Sequence, residues 1–259
     1  MSLLAKGIAV RPQQIAPGVH LISLGVVNAY LLDGDELALI DTGTAASAQK
    51  IVTAIRDHGR DPSDLRHILV THCHPDHSGS LAALKRLTGA AAYMHPLAAA
   101  VVRGDETGRP LRAAPGLLNG ILFRAFIPRP PWSIPPAHVE HEILDGDIIP
   151  VGGGIRAIHV PGHCAGQLAF HIMRAGGVLL AADAATNMTK LDLMPGYEDV
   201  ETGRRSLAKL ARFHFEVAGF GHGAPILHGA DARFREKWGT DLQGVRDPDP
   251  RGLRKPRGS

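Results

Sequence analysis

The chain has 259 residues, 44% hydrophobic and 20% charged. That composition excludes a disordered chain, and a fold of this size buries roughly three quarters of the surface its unfolded chain exposes. The formal net charge of +3 resides in the segment 244–259, where Arg246, Arg251, Arg254, Lys255 and Arg257 face only Asp247 and Asp249, so a neutral body argues against a polyanionic partner such as nucleic acid.

Aromatic residues make up 5% of the chain, too few for a stacking reader of single strands. Two cysteines, Cys73 and Cys164, are not a disulfide framework. No apolar run approaches ~18 residues, and the apolar stretch before Arg11 is too short for a signal peptide. The expectation is a soluble, cytoplasmic protein with a small-molecule substrate, no nucleic-acid partner and no membrane contact. Residues 1–243 are expected to form one domain and 244–259 a basic flexible tail.

In chain order, Val19–Leu24, Asn28–Leu32 and Glu36–Ile40 read as an antiparallel meander cut by Gly and Asp turns. Ala46–His58 places Ile51, Ala54 and Ile55 at helical spacing, and Gly59 stops it. Leu65–Thr71 is a buried strand, Ser78–Leu87 a helix and Ala90–Met94 a strand. Segment 110–136 holds 7 of the 19 prolines, no acidic residue, Arg112, Arg124 and Arg129, and the aromatic residues Phe123, Phe126 and Trp132. Its apolar content favours a cover over a spacer, with one helix over Gly116–Ile127. Strands return at Ile155–Val160, Leu168–Met173, Val178–Ala182, Val217–Phe220 and Pro225–Leu227, with helices over Glu201–Phe213 and Asp231–Trp238. Two groups of strands, each with its own helices, predict an α/β (α+β) fold in which two mixed sheets pack together under outer helices.

After the strand ending at Val70, the chain reads Thr71-His72-Cys73-His74-Pro75-Asp76-His77-Ser78-Gly79. The pattern His-x-His-x-Asp-His should arise by chance only ~0.003 times in a chain of this composition. Alternation sets His72 and His74 on one side and turns Cys73 away, as a small buried hydrophobe. Three imidazoles and a carboxylate so close together suit two ions better than one tetrahedral ion. Further ligands are expected at other strand ends. Candidates are His163 in Pro161-Gly162-His163, Asp183 after an apolar run, and His222 between two glycines. Taken alone, Asp183 reads equally as a helix N-cap; beside the histidine motif the ligand reading dominates.

Through these segments and Asp41-Thr42-Gly43, the sequence resembles the metallo-β-lactamase-fold hydrolases over roughly residues 18–228, in the dinuclear branch that holds lactonases and glyoxalase II. The resemblance implies a four-layer αβ/βα sandwich and two divalent metal ions, zinc first, with iron or manganese as alternatives. It also implies that His72, His74 and His163 hold the first ion and that Asp76, His77 and His222 hold the second. Asp183 would bridge the two, and Asp41 would stand behind the histidines. The implied chemistry is hydrolysis by a hydroxide held between the ions, with Asp76 moving its proton.

Departures from the subfamilies narrow the substrate. Asp183-Ala184-Ala185-Thr186-Asn187-Met188 lacks the Gly-Cys-Gly-Arg segment of acyl-glutathione hydrolases, and the presence of Asp183 argues against β-lactams. Thr186 stands where quorum-type lactonases usually place a tyrosine, and is itself a candidate substrate contact. Tyr197 and Tyr30 are substitutes for that carbonyl donor, although the plainer reading of packed tyrosines weighs more. Trp132 and the arginines of segment 110–136 are further substrate-contact candidates, the arginines for a carboxylate or simply as surface residues. The expected activity is cleavage of a lactone, thioester or carboxylic ester. Iron-dependent sulfur oxidation and phosphodiester hydrolysis are the alternatives.

Overall fold

Alternate side chains of each strand enter two different apolar layers, and that period of two builds the architecture. The computed structural model describes residues 11–127 and 132–240; the expected basic tail and Arg129 lie outside them. The first half contains β1 (Gln13–Ala16), β2 (Val19–Ser23), β3 (Asn28–Leu32), β4 (Leu37–Ile40), α1 (Ala48–Asp57), β5 (Leu65–Leu69), α2 (Pro75–Ser78), α3 (Leu81–Thr88), β6 (Ala91–Met94) and α4 (Pro96–Arg103). The Pro-rich segment contributes β7 (Arg112–Ala113) and α5 (Leu117–Phe126). Then follow β8 (His141–Glu142), β9 (Ile148–Ile149), β10 (Ile155–His159), β11 (Leu168–Ile172), β12 (Val178–Leu180), β13 (Gly196–Tyr197), α6 (Val200–Leu210), β14 (Val217–Gly219) and α7 (Ala230–Trp238).

One sheet runs β1-β2-β3-β4-β5-β6-β8 and the other β14-β12-β11-β10-β9, with β13 and β7 as a separate ribbon. Both sheets are mixed. In the first, β1 to β4 pair antiparallel and β4, β5, β6 and β8 pair parallel. In the second, β12 and β14 are parallel and the remaining pairs antiparallel.

Between the sheets, Tyr30, Leu32, Ile40 and Leu69 meet Ile155, Phe170, Ile172 and Leu180. The intervening residues Leu31, Leu39 and Ile68 face outward against Ile51 and Ile55 of α1 and Leu84 of α3. On the far side, Ile158, Ala169 and Leu179 pack on Leu207 and Leu210 of α6 and Phe234 and Trp238 of α7. The product is the expected αβ/βα sandwich of four layers. No helix among the described residues is long and apolar enough to cross a membrane.

Besides the two-residue strands β7, β8, β9 and β13, two longer elements were not legible from the sequence. Strand β1 is a short edge strand with a register shift. Helix α4 is almost wholly Ala, Val and Leu, so it shows no polar face to reveal its period. Its signs were Pro96 at the first helical position and Gly104 closing it in the left-handed region. Conversely, the strand expected at Pro225–Leu227 is reduced to a single bridge between Ala218 and Ile226.

The two sheets are fastened by side chains of β3. The Tyr30 hydroxyl donates to the Phe220 carbonyl and accepts from the Phe220 N–H, each at 2.8 Å. Asn28 donates from Nδ2 to the carbonyls of Phe220 (3.1 Å) and Gly223 (2.8 Å). Tyr30 is 3% exposed and its one hydroxyl proton is already engaged, so it is a clasp and not the substrate donor considered above. Tyr30→Phe leaves a buried N–H and carbonyl without this partner and is expected to cost about 1–3 kcal/mol. The check is a fall in the urea midpoint with an unchanged m-value.

Candidate metal centre

The site lies where several strands end on one edge of the sandwich. The loop after β4 supplies Asp41, and the stretch from β5 into α2 supplies His72, His74, Asp76 and His77. The loops after β10, β12 and β14 supply His163, Asp183 and His222 respectively. The two sheets are joined here by the backbone, because Leu168 N–H donates to the Thr71 carbonyl at 2.8 Å.

All seven proposed ligands converge. Donor atoms of His72, His74 and His163 lie within 4.8 Å of one another, and so do those of Asp76, His77 and His222. Asp183 stands between the groups. Its Oδ2 is 3.5 Å from His163 Nε2 and 3.4 Å from His222 Nε2, and its Oδ1 is 3.5 Å from His77 Nε2. It sits within a 3₁₀ turn over Ala182–Ala184, so it is not a helix N-cap. His163 Nε2 and His74 Nδ1 face each other at 2.9 Å.

Most of the rings are oriented by acceptors behind them. His77 Nδ1 donates to Asp41 Oδ2 at 2.8 Å. His163 Nδ1 donates to the Gly196 carbonyl at 2.7 Å and His222 Nδ1 to the Val26 carbonyl at 2.6 Å. Thr71 Oγ1 donates to Asp41 and stands 3.0 Å from His72 Nδ1. Each contact engages Nδ1 as a donor, so that Nε2 is the nitrogen aimed inward. Asp41 itself has φ +62°, a left-handed conformation in which Asp is among the better tolerated residues.

His72 Nε2, His77 Nε2 and Asp183 Oδ1 are buried without a hydrogen-bond partner, at a cost of roughly 1–3 kcal/mol each. Three such atoms in one place are the mark of a cation site. The glycine beside them leaves the necessary room. A Cβ on Gly221 would fall 2.0 Å from Asp183 Oδ1 and 2.6 Å from the His77 ring.

Burial holds the imidazoles of His72 and His163 below the usual range and pushes His74 down to about 3. Burial also opposes the charged forms of His77 and His222. Asp183 and its neighbours outweigh it, raising His77 and taking His222 to about 10. Asp183 is correspondingly lowered, against its own burial, chiefly by His222 and His77. The deep half of the site therefore offers neutral imidazoles, while in the other half the carboxylates favour protonated His77 and His222, protons that a divalent cation would have to displace.

A cavity of about 510 Å³ opens over these groups, reached by His74, Asp76, His163, Asp183 and His222. Segment 110–136 supplies part of its wall through Leu111, Leu122, Ile127 and Trp132. Trp132 meets His74 edge to face, with ring centroids 5.3 Å apart. Arg112 and Arg124 are exposed and do not line the cavity. Tyr197 is fully buried, its hydroxyl donating to the Ala184 carbonyl at 2.8 Å and accepting from Met194 N–H at 3.1 Å. It too is a packed tyrosine that cannot reach substrate. Thr186 donates to the His222 carbonyl at 3.2 Å and lies behind the cavity wall.

Other residues weighed from the sequence fall elsewhere. Cys73 and Cys164 are buried with their sulfurs 3.6 Å apart. His95 and His159 stack on each other 4.3 Å apart. Two supporting residues had not been anticipated. Thr71 links Asp41 to His72, and buried Gln167, with its amide oxygen turned inward, accepts from the backbone N–H groups of Asp183 (3.2 Å) and Ala184 (2.6 Å). Their only signal was a polar side chain at the end of an apolar strand.

Comparison with known proteins agrees with this geometry. The family model described as the metallo-beta-lactamase superfamily matches residues 22–244. The chain is 27% identical over 231 residues to a probable metallo-hydrolase, YflN, of Bacillus subtilis (strain 168), covering 82% of this chain and 86% of that one. It is 28% identical over 170 residues to the atrochrysone carboxyl ACP thioesterase dmxR1 of Cryptosporiopsis sp. (strain 8999), covering 61% and 41%. The solved structure of the MIM-2 metallo-beta-lactamase superposes with a TM-score of 0.67 at 24% identity, over 92% of this chain and 91% of that one. The sequence, the sandwich and the cluster of histidines and aspartates agree: this chain belongs to the metallo-β-lactamase superfamily.

Proposed function

We propose that the chain is a hydrolase of ester-type bonds (a lactone, thioester or carboxylic ester) that works with two divalent ions, zinc first. In this reading His72, His74 and His163 hold one ion, Asp76, His77 and His222 hold the other, and Asp183 lies between. The observation that carries the reading is the convergence of His72 Nε2, His77 Nε2 and Asp183 Oδ1, all buried and without partners, on the space that Gly221 keeps open. Likeness to an ACP thioesterase supports the ester-type bond.

When bound, divalent ions supply Lewis acidity and bring the pKa of water near 7. The chain supplies the rest. Asp76 is the most solvent-accessible of the carboxylates at the site, its side chain 36% exposed, and it faces the cavity with Oδ2 3.3 Å from His222 Nε2. In this reading it would take a proton from the attacking water and pass it to the leaving group. Trp132 beside His74 and Leu122 above narrow the space open to bulk water.

Four outcomes test this reading. His74→Ala or Asp183→Ala removes most turnover of aryl esters, lactones and thioesters while the far-UV spectrum stays native; either variant retaining full turnover and full metal content sinks it. Asp41→Asn, which weakens the acceptor behind His77 and Thr71, lowers metal affinity by about 10–100-fold, read by competition with a chromophoric chelator. Gly221→Ala, whose Cβ intrudes on Asp183 and His77, reduces the metal recovered by elemental analysis. That analysis on the unaltered protein should give two zinc ions per chain, whereas one iron would favour the sulfur-oxidising alternative.

A further inference from the structure

We infer that the substrate bears an uncharged, apolar group directly beside the scissile bond, and that segment 110–136 selects it. This inference rests on the hydrolase reading above and specifies its substrate.

The cavity has two unlike halves. Its charged groups and imidazoles belong to the metal centre itself, and the rest of the wall is built largely from Val26, Leu111, Leu122, Ile127, Trp132 and Met188. No lysine or arginine lines it among the described residues. A charged group placed there would leave water for a surface on which the described residues offer no cation to pair it, which is costly. An apolar group would instead cover side chains now left open to solvent. Val26 is 79% and Met188 47% exposed, and apolar area removed from water stabilises by about 25 cal/mol per Å².

The position of this wall places the group. Trp132 touches the His74 ring, with centroids 5.3 Å apart, so apolar surface begins at the metal centre and not at a remote subsite. Trp132 is seated against Gly108, where a Cβ would lie 2.3 Å from the indole. Trp132 is therefore held in the wall by close packing against the turn that follows α4.

The test begins without chemistry. Calorimetric titration of the metal-free protein with n-butanol, n-hexanol and n-octanol should show affinity rising roughly fourfold per methylene, the equivalent of about 0.8 kcal/mol each. Octanoate should bind at least tenfold more weakly than octanol. Leu122→Arg should narrow that gap, and Val26→Arg, at an exposed position, gives the same reading should the first variant fail to fold. In the zinc-loaded protein, kcat/KM for aryl esters should climb from acetyl to octanoyl, and a chain ending in carboxylate should lose at least tenfold.

A flat alkanol series overturns the inference. So does a preference for carboxylate-ended esters that disappears in Arg129→Ala, which would place a cation over the cavity. Esters cleaved without regard to chain length overturn it too, while leaving the hydrolase reading intact. A graded alkanol series in a protein that cleaves no ester when loaded has the opposite meaning: the apolar site stands and the ester-hydrolase reading falls.

Discussion

The centre depends on one buried carboxylate. Asp41 accepts the Thr71 N–H and hydroxyl through Oδ1 at 2.8 and 2.9 Å and His77 Nδ1–H through Oδ2 at 2.8 Å. Because Thr71 in turn meets His72 Nδ1, a single side chain sets the direction of two imidazoles. An imidazole has one donor and one acceptor nitrogen when neutral, so engaging Nδ1 as donor leaves Nε2 as the nitrogen that faces the site and carries the lone pair once the ring is neutral. The carbonyls of Gly196 and Val26 apply the same constraint to His163 and His222. Four rings are thereby committed before any cation arrives, which is what preorganisation of a metal site means physically.

That arrangement is costly in a bare protein. Asp41 and Ala182 both adopt left-handed φ values, and an alanine has no polar side chain to ease that conformation. Three buried polar atoms lack partners, and Asp76 and Asp183 concentrate negative charge. The sandwich can carry this because its three apolar layers lie away from the strand ends, and because backbone and side-chain clasps hold the sheets together at the site. Leu168 to Thr71, Tyr30 to Phe220, and Asn28 to Phe220 and Gly223 all cross between the two halves. A divalent cation would recover much of the expense, since it satisfies the orphaned atoms and neutralises the carboxylates at once.

The other half of the cavity obeys a different rule. Segment 110–136 brings leucine, isoleucine and tryptophan to within contact of a charged centre, so the low-polarity wall and the polar floor share one small volume. Electrostatic interactions on the floor gain strength where water is excluded, and the wall supplies binding area that a charged group cannot use. The arginines of the same segment that are described, Arg112 and Arg124, face solvent, where a guanidinium keeps its hydration.

Much of this was legible in the sequence, because the interactions concerned are local or periodic. Alternation of apolar residues marks the strands, helical spacing of apolar residues marks α1, α3 and α6, and six residues from His72 to His77 carry four metal-seeking side chains. Helix α4 was hidden by an unbroken run of small apolar residues, and β1 by its shortness and edge position. What the sequence determined by itself was the set of donor groups and the layers that would bury the strands. The tertiary structure decided how those groups meet. The bond from Thr71 to Asp41, the seat of Gln167 under Asp183 and the burial of the Tyr30 and Tyr197 hydroxyls each join positions whose pairing depends on sheet register and on loops crossing between elements. Such contacts leave no period in the chain, since a hydrogen bond across 30 or 190 positions constrains geometry without constraining the residues between.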